Sequence, residues 1–427
     1  MMQQPLKAIL VEVRRSDSGS GLPELRQLAE SAGYLVALEF QQVRALDSSF
    51  CVGRGKAREI AERASLIGPA KVIFNNRLKP TQRYNLTKLI HLEVMDRFQL
   101  ILEIFTSRAG TVEAKCQIEL AGLQYELPMA RENVRLAKLG ELPGFHGLGK
   151  YQADVYSTMI KRRITHLRRK LEGISKRKSL NRTRRREQSL FNIALTGYTS
   201  GGKTTLFNRL AQESLPEGEG LFTTLSTITR GVPIAGRKVL FSDTVGFIDD
   251  LPHLLVEAFY STLEEVSLAD RVILVIDASD PQGEFERKLK TCISTLNEIG
   301  VFNSKILPVL NKADKALECP LKAESVKSVL GSAPVTISAR KGAGLEDLLA
   351  SIARSLPPIR VFRLRIPKGT EAEETKSQIL KISRTESVSY TEDCISMIVE
   401  VAASNIPRLE RMKKEQRIVS MEFAETG

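Results

Sequence analysis

The stretch that most constrains this chain is Gly197–Thr204, which reads GYTSGGKT and fits the pattern G-x-x-x-x-G-K-[ST]. The apolar run Phe191–Leu195 before it predicts a buried strand, and Thr204–Leu210 after it predicts the start of a helix. A strand, a glycine loop and a helix form the setting in which backbone N–H groups and a helix N-terminus together bind phosphate. An accidental glycine turn is the alternative, and the rest of the chain decides between them.

Every residue of this loop is a candidate contact for a nucleotide. The eight are Gly197, Tyr198, Thr199, Ser200, Gly201, Gly202, Lys203 and Thr204. Lys203 is expected to reach the β- and γ-phosphates and is therefore a candidate catalytic residue, and the Thr204 hydroxyl is expected to bind Mg²⁺. The loop alone does not distinguish ATP from GTP.

A second motif, D-x-x-G, follows the predicted strand Lys238–Ser242. Its members are Asp243, Thr244, Val245 and Gly246. We expect Asp243 to lie near Mg²⁺ through a water molecule, and the Gly246 N–H, a candidate catalytic group, to face the γ-phosphate. Taken alone D-x-x-G is common, and a plain turn at a strand end is the alternative.

A threonine-rich stretch, Leu221–Thr227, lies between the two motifs. A threonine here would complete the Mg²⁺ shell only while a triphosphate is bound, and would release it after hydrolysis. We choose Thr224 as this metal ligand and catalytic residue, although spacing leaves Thr223, Thr227 and Thr229 open as competitors. The neighbours expected to contact the nucleotide are Phe222, Thr223, Leu225 and Ser226.

Two further motifs indicate which base the site reads. Asn311, Lys312 and Asp314 form N-K-x-D after the predicted strand Ile306–Leu310. The Asp314 carboxylate can accept from the two N–H groups on the guanine edge, a donor pair that adenine lacks. In the next predicted turn, a backbone N–H is expected to meet the guanine O6; its residues are Ser338, Ala339 and Arg340. Four motifs in order, each at a strand end, favour a guanine-nucleotide site.

The residue after the D-x-x-G motif bears on the rate at which a bound GTP would be hydrolysed. Phe247 follows Gly246, at the place where Ras-like enzymes carry a glutamine that positions the attacking water. Because an apolar side chain cannot orient water, we expect slow intrinsic GTP hydrolysis that a partner accelerates.

The charge distribution points to that partner. The 427-residue chain has a net charge of +13, yet Lys161–Arg186 alone holds 13 Lys and Arg and a single acid, Glu172. The remaining residues balance at 50 basic and 49 acidic. A run of one sign predicts contact with a polyanion, and RNA is favoured over a membrane surface because no apolar face accompanies the tract.

Other features restrict the compartment and the cofactors. No apolar run approaches the ~20 residues needed to cross a bilayer, and Met1–Leu10 does not have the pattern of a signal peptide. The five cysteines and four histidines are dispersed, so neither disulfides nor a metal cluster other than the Mg²⁺ site is expected. These observations predict a cytoplasmic protein without stable membrane insertion. We also expect a monomer.

The order of predicted elements divides the chain into four parts of α/β class. Residues 1–110 predict a small parallel α/β domain, and residues 111–188 a basic helical hairpin with a glycine-rich tip, Gly140–Gly149. Residues 189–357 predict the P-loop domain, a mixed sheet flanked by helices. Residues 358–427 predict a small α+β domain in which either Gln378–Ser383 or Ser387–Tyr390 is a strand. Gly53–Lys56 could bind phosphate, but a helix-entry turn is favoured.

Several stretches resemble the HflX family of GTPases over roughly residues 5–356. The nucleotide motifs are TGYTSGGKTTLFNRL, LFTTLS, DTVGFIDDLPHLLVEAF and NKAD, which begin at Thr196, Leu221, Asp243 and Asn311. Earlier in the chain, VGRGK at Val52 and LQYELP at Leu123 resemble that family's N-terminal domain and first long helix.

The resemblance implies a cytosolic GTPase that binds the large (50S) ribosomal subunit and its rRNA. It also implies a link to the splitting of stalled ribosomes, with the helical hairpin directed toward the peptidyl-transferase region. The alternatives are an rRNA-binding assembly factor gated by nucleotide, with incidental turnover, and a GTPase with a peripheral membrane-associated fraction.

The chain also departs from the family's pattern. Ser200 replaces an asparagine that helps to hold a monovalent cation in related GTPases, and Thr204 replaces a serine. In the tip region Lys150 replaces an acidic residue, and Ser157-Thr158 replaces a pair of arginines.

Overall fold

The computed structural model describes residues 6–15, 19–138, 148–187, 190–213, 221–222, 228–249, 263–316 and 319–424. These residues form a parallel sheet, a pair of long helices, a mixed sheet and an antiparallel sheet, in that order along the chain. The predicted α/β class is confirmed. No helix in these ranges combines the length and the apolar character needed to cross a membrane.

The first sheet carries helices on both faces. Its elements are β1 (Leu6–Arg14), α1 (Leu22–Ser31), β2 (Tyr34–Val43), α2 (Arg54–Ile67), β3 (Lys71–Phe74), α3 (Pro80–Ile90), β4 (Glu93–Asp96) and α4 (Arg97–Arg108). The strands are parallel in the order β2-β1-β3-β4. Successive residues of β1 enter different cores: Ala8 and Leu10 pack toward α1 and α4, whereas Ile9 packs with α2 and α3. Asp96 caps α4 and accepts from the Gln99 N–H at 3.1 Å.

The long helices α5 (Val112–Lys138) and α6 (Leu148–Glu187) pack against each other. The helix α5 continues through Pro128. Their shared core is apolar, with Cys116, Leu120, Ala130, Ile160, Ile164 and Leu167 as its buried members. An ion pair between Arg163 and Glu119 (2.6 Å) adds to the contact. Most of the predicted tip loop lies outside the described residues.

The second sheet has six strands in the described residues. Its elements are β5 (Phe191–Thr196), α7 (Lys203–Ala211), β6 (Ile228–Ile234), β7 (Arg237–Asp243), β8 (Arg271–Asp277), α8 (Gln282–Glu298), β9 (Ile306–Asn311), α9 (Cys319–Leu330), β10 (Val335–Thr336) and α10 (Leu345–Ser355). The order is β10-β9-β8-β5-β7-β6, and β6 alone runs antiparallel to its neighbour. The carboxyl ends of β5, β7, β8 and β9 therefore meet at one edge, where parallel sheets bind ligands. The apolar pattern of Leu251–Val266 indicates a helix; residues 263–266 of this stretch are described, and they are helical.

The third sheet is formed by the C-terminal part of the described chain. Its elements are β11 (Ile359–Pro367), α11 (Ala372–Ile382), β12 (Arg384–Tyr390), β13 (Cys394–Ala402), α12 (Ile406–Lys414) and β14 (Ser420–Phe423). The strands pair antiparallel in the order β12-β13-β11-β14. Ser387–Tyr390 is the strand, and the alternative Gln378–Ser383 is wrong. Most of that stretch lies in α11, because Thr375, Ile379 and Ile382 face the core at helical spacing.

Candidate functional site

The loop after β5 depends on two glycines. Gly197 has φ +142°, and a Cβ built on it would lie 2.1 Å from the Val275 carbonyl oxygen. Gly202 has φ +91°, and its Cβ would lie 2.3 Å from Asn311 Nδ2. Any side chain at either position would clash with β8 or β9, in a backbone conformation that L-residues avoid. The glycine pattern is therefore required by how tightly the loop is folded against the sheet.

The loop is joined to the D-x-x-G segment by backbone hydrogen bonds. The Thr199 N–H donates to the Phe247 carbonyl at 2.8 Å, and the Phe247 N–H donates to the Gly197 carbonyl at 2.9 Å. The Phe247 side chain is 2% exposed and packs in the core with Leu263, Leu274 and other residues. Its role in the structure is packing beneath the loop, which explains why an apolar residue occupies this position.

Lys203, Thr204 and Asp243 meet at the base of the loop. Lys203 Nζ donates to the carbonyls of Tyr198 (2.8 Å) and Gly197 (3.1 Å). Burial lowers the pKa of Lys203 to about 8, against the opposing attraction of the Asp243 carboxylate. Thr204 Oγ1 donates to Asp243 Oδ2 at 3.1 Å. A hydroxyl and a carboxylate oxygen side by side are hard donors, and this set fits Mg²⁺.

Gly246 lies directly beside this group. A Cβ built on Gly246 would lie 2.7 Å from Lys203 Nζ and 2.9 Å from Thr199 Cγ2. The D-x-x-G glycine thus lies beside the lysine and the loop.

The side chains of the N-K-x-D motif are held in place by hydrogen bonds. Asn311 Nδ2 donates to the Gly201 carbonyl, and the Ala339 N–H donates to Asn311 Oδ1, both at 2.9 Å. The Ser338 hydroxyl donates to Asp314 Oδ1 at 2.7 Å, which holds the pKa of Asp314 below its usual value. The aspartate is therefore ionised at neutral pH, the state that the predicted contact with a guanine edge would need.

Other predicted residues are placed as follows. Lys312 has φ +61°, and its Nζ pairs with Asp277 Oδ2 at 2.5 Å. The Arg340 carbonyl accepts from Arg209 Nη2 at 2.8 Å. The Thr244 hydroxyl donates to the Leu195 carbonyl at 2.6 Å, which fixes the motif to β5. The predicted contacts outside the described residues are Thr223, Thr224, Leu225 and Ser226.

Two residues of the first domain reach the site, and sequence reasoning missed both. Tyr198 Oη donates to Glu24 Oε1 at 2.5 Å, and Glu24 Oε2 pairs with Arg97 Nη2 at 2.6 Å. Arg97 Nη2 also donates to the Asp249 carbonyl at 2.9 Å, and the Asp249 N–H donates to Tyr198 Oη at 3.1 Å. This buried network, hereafter the Glu24–Arg97 network, links the nucleotide loop to α1 and α4.

Apolar contacts join the same domains. Leu221 and Phe222, from the threonine-rich stretch, and Val245 and Ile248, from the D-x-x-G segment, are buried in the core formed by α1, α4 and α5. The Phe222 ring meets Phe105 edge-on at 4.7 Å. Both segments expected to respond to the γ-phosphate are thus anchored in the first domain.

A cleft of about 1040 Å³ opens beside this contact. Tyr198, Thr199 and Ser200 line one wall, and Asn75 and Arg97 line the wall from the first domain. A cleft of this size between two domains is the usual setting of a ligand site.

Comparison with known proteins identifies the family. Family models described as "GTP-binding GTPase N-terminal", "GTP-binding GTPase Middle Region" and "50S ribosome-binding GTPase" match residues 20–106, 108–185 and 192–312. GTPase HflX of Thermofilum pendens is 41% identical over 408 residues, 95% of this chain and 96% of that protein. The chain belongs to the HflX family of GTPases.

A second HflX relative and a solved structure are also similar to this chain. GTPase HflX of Thermococcus kodakarensis is 40% identical over 86% of both chains. A solved structure described as "SsGBP and GDP complex" matches with a TM-score of 0.51 and 30% identity, covering 82% of this chain and 98% of that one. As a member of the HflX family, the chain is a GTP-binding protein with the P-loop GTPase fold, and its substrate is GTP.

Proposed function

We propose that the chain is a Mg²⁺-dependent enzyme that hydrolyses GTP to GDP and phosphate on the large (50S) ribosomal subunit in the cytoplasm, and that it thereby helps to split or rescue ribosomes. The main support for the hydrolysis of GTP is that four residues lie close together at one end of the loop: Lys203, Thr204, Asp243 and Gly246. The base-reading residues Asn311 and Asp314 lie at the same sheet edge.

The roles of the residues follow from their placement. The ammonium of Lys203 would leave the carbonyls of its own loop for the β- and γ-phosphates, whose charge favours its protonated form. Thr204 and Asp243 would hold Mg²⁺, with Thr224 as the third protein group. The metal, when bound, supplies positive charge to the phosphate oxygens. The Gly246 N–H would face the γ-phosphate.

Replacing the base-reading carboxylate tests the guanine assignment. Asp314→Asn keeps the shape of the side chain but removes the charge that accepts from both guanine N–H groups, so affinity for GTP should fall while affinity for ATP stays low. Asp347→Asn, an exposed aspartate at the start of α10, is the control. An unchanged preference for GTP over ATP in Asp314→Asn would refute the assignment.

The helix α6 supports the ribosomal part of the proposal. Its Ile164 and Leu167 face α5, and most of its basic side chains are exposed, although Arg163 pairs with Glu119 of α5. The exposed ones are Lys161, Arg162, Arg163, Arg168, Arg169, Lys170, Lys176 and Arg177. A rigid surface of one sign suits the phosphates of structured rRNA, which proteins recognise largely by shape and backbone.

Ribosome co-sedimentation with GDP, GTP and a non-hydrolysable analogue, followed by subunit profiling, tests this part. Replacing Arg168, Arg169 and Lys170 by Gln should weaken binding and lower the slope of log K against log salt by about 2–3, since each lost phosphate contact removes about 0.7–0.9. Affinity for free GTP should not change. Lys290→Gln with Lys327→Gln, which removes exposed charges elsewhere, is the control. Sedimentation equal to that of the unmodified chain would contradict the proposal.

A second candidate function rests on the burial of Phe247. Because this side chain is 2% exposed, it does not position water, and turnover without a partner should be slow. An rRNA-binding assembly factor whose affinity is gated by nucleotide, and whose turnover is incidental, would also hydrolyse GTP slowly without a partner. Single-turnover hydrolysis with and without large subunits separates the two: strong stimulation supports the enzyme, and equal rates support the assembly factor.

A further inference from the structure

The side chain of Thr199, the third residue of the nucleotide loop, has no assigned partner. It is 5% exposed, and within the described parts of the chain no hydrogen-bond partner lies in reach of its Oγ1. Burying a hydroxyl without a partner costs free energy, so such groups in native proteins call for an explanation. A ligand that completes the hydrogen bond is one such explanation.

The backbone and the methyl group of Thr199 are held on both sides. The Thr199 N–H donates to the Phe247 carbonyl at 2.8 Å, so the backbone is held by the D-x-x-G segment. A Cβ built on Gly246 would lie 2.9 Å from Thr199 Cγ2, 3.0 Å from Thr199 Cα and 2.7 Å from Lys203 Nζ. Thr199, Lys203 and Gly246 therefore border one small volume, and Thr199 also lines the open cleft.

The proposed function places the γ-phosphate beside Lys203 and Gly246. From this placement we infer that Thr199 Oγ1 donates a hydrogen bond to a γ-phosphate oxygen of GTP, and that this residue thereby distinguishes GTP from GDP. With GDP the hydroxyl stays buried and unpaired, whereas with GTP it gains a charged acceptor, which is the stronger kind of hydrogen bond. The inference rests on the proposed function.

Three variants test the role of the hydroxyl. Thr199→Val removes it and keeps the branched shape, while Thr199→Ser keeps it. Thr196→Val is the matched control, because Thr196 Oγ1 is also buried with no partner among the described residues but lies in β5 before the loop. Fluorescent GDP and a fluorescent non-hydrolysable GTP analogue report both affinities, and circular dichroism melting checks that each variant folds.

We expect Thr199→Val to bind the GTP analogue about tenfold more weakly, with its affinity for GDP changed by less than about twofold. Thr199→Ser and Thr196→Val should keep the preference of the unmodified chain. An equal loss for both nucleotides, or no loss for either, would overturn the role of Thr199. If the unmodified chain bound neither guanine nucleotide, the proposed function itself would fall; if it bound both and only the Thr199→Val result failed, the inference alone would fall.

Discussion

Arg97 joins the first domain to the nucleotide loop, and its replacement makes the sharpest test of that contact. Its guanidinium pairs with Glu24 at 2.6 Å and donates to the Asp249 carbonyl at 2.9 Å and to Asn75 Oδ1 at 3.2 Å. Arg97→Met removes these bonds but keeps a long unbranched side chain that suits α4.

The expected effect follows from burial. The side chains of Arg97 and Glu24 are only 10% and 14% exposed, so the variant leaves a carboxylate buried with the Tyr198 hydroxyl and without its cation. Breaking a buried pair on one side costs about 3–5 kcal/mol. The loss of Arg26 from its exposed pair with Glu39, where the side chains are 48% and 28% exposed, costs about 0–1 kcal/mol.

Hydrogen exchange followed by mass spectrometry measures this difference. If the Glu24–Arg97 network holds the domains together, Arg97→Met should speed exchange in the peptides covering α1 and the nucleotide loop by about 100-fold or more, since about 1.4 kcal/mol is a factor of ten. Arg26→Met is the matched control and should change exchange by less than about tenfold.

A double variant separates a lost contact from an unpaired charge. Adding Glu24→Gln to Arg97→Met removes the buried carboxylate and should recover part of the loss. If Arg97→Met behaved like Arg26→Met, or if adding Glu24→Gln worsened the effect additively, the buried-pair reasoning would be refuted.

Three further predictions concern the nucleotide loop. Because burial lowers the pKa of Lys203 to about 8, its ammonium is lost as the pH rises through that value; affinity for GTP should fall up to about tenfold between about pH 8 and about pH 9, and Lys203→Met should abolish this pH dependence. Ser200 has φ +59°, a conformation that asparagine tolerates well, so Ser200→Asn should fold normally, and K⁺ should stimulate its hydrolysis over Na⁺ more strongly than it stimulates hydrolysis by the unmodified chain. Gly202→Ala should abolish binding of fluorescent GDP without unfolding the chain, because its methyl would displace the Asn311 amide; retained binding would contradict the close approach of 2.3 Å.

The nucleotide loop was predictable because its motif is contained in one short stretch. Gly197, Gly202, Lys203 and Thr204 lie within eight consecutive residues, so the pattern can be recognised in the sequence even though the two glycines are required by contacts with β8 and β9. The strands were also predictable, because a parallel sheet buried on both faces produces short apolar runs such as β5 and β8.

Other features depend on contacts between distant residues. Glu24 and Arg97 are 73 positions apart and belong to no motif, so one sequence gives no sign that they pair. The helix α9 was not predicted. Its buried Lys322 donates to the carbonyls of Ala278 (2.7 Å) and Asp280 (2.6 Å), and a lysine facing the core interrupts the apolar pattern that would reveal a helix.

The burial of Leu221, Phe222, Val245 and Ile248 in the core of the first domain has a practical consequence for studies of separate fragments. A fragment that holds only the first domain would expose to water the apolar surface that these residues cover, which favours aggregation. An isolated GTPase fragment would in turn carry four uncovered apolar side chains on the segments expected to respond to the γ-phosphate. In such a fragment the threonine-rich stretch and the D-x-x-G segment would contact water instead of the first domain. Rates of GTP hydrolysis measured on the fragment would therefore differ from those of the intact chain, and the coupling between the domains is best measured in the intact chain.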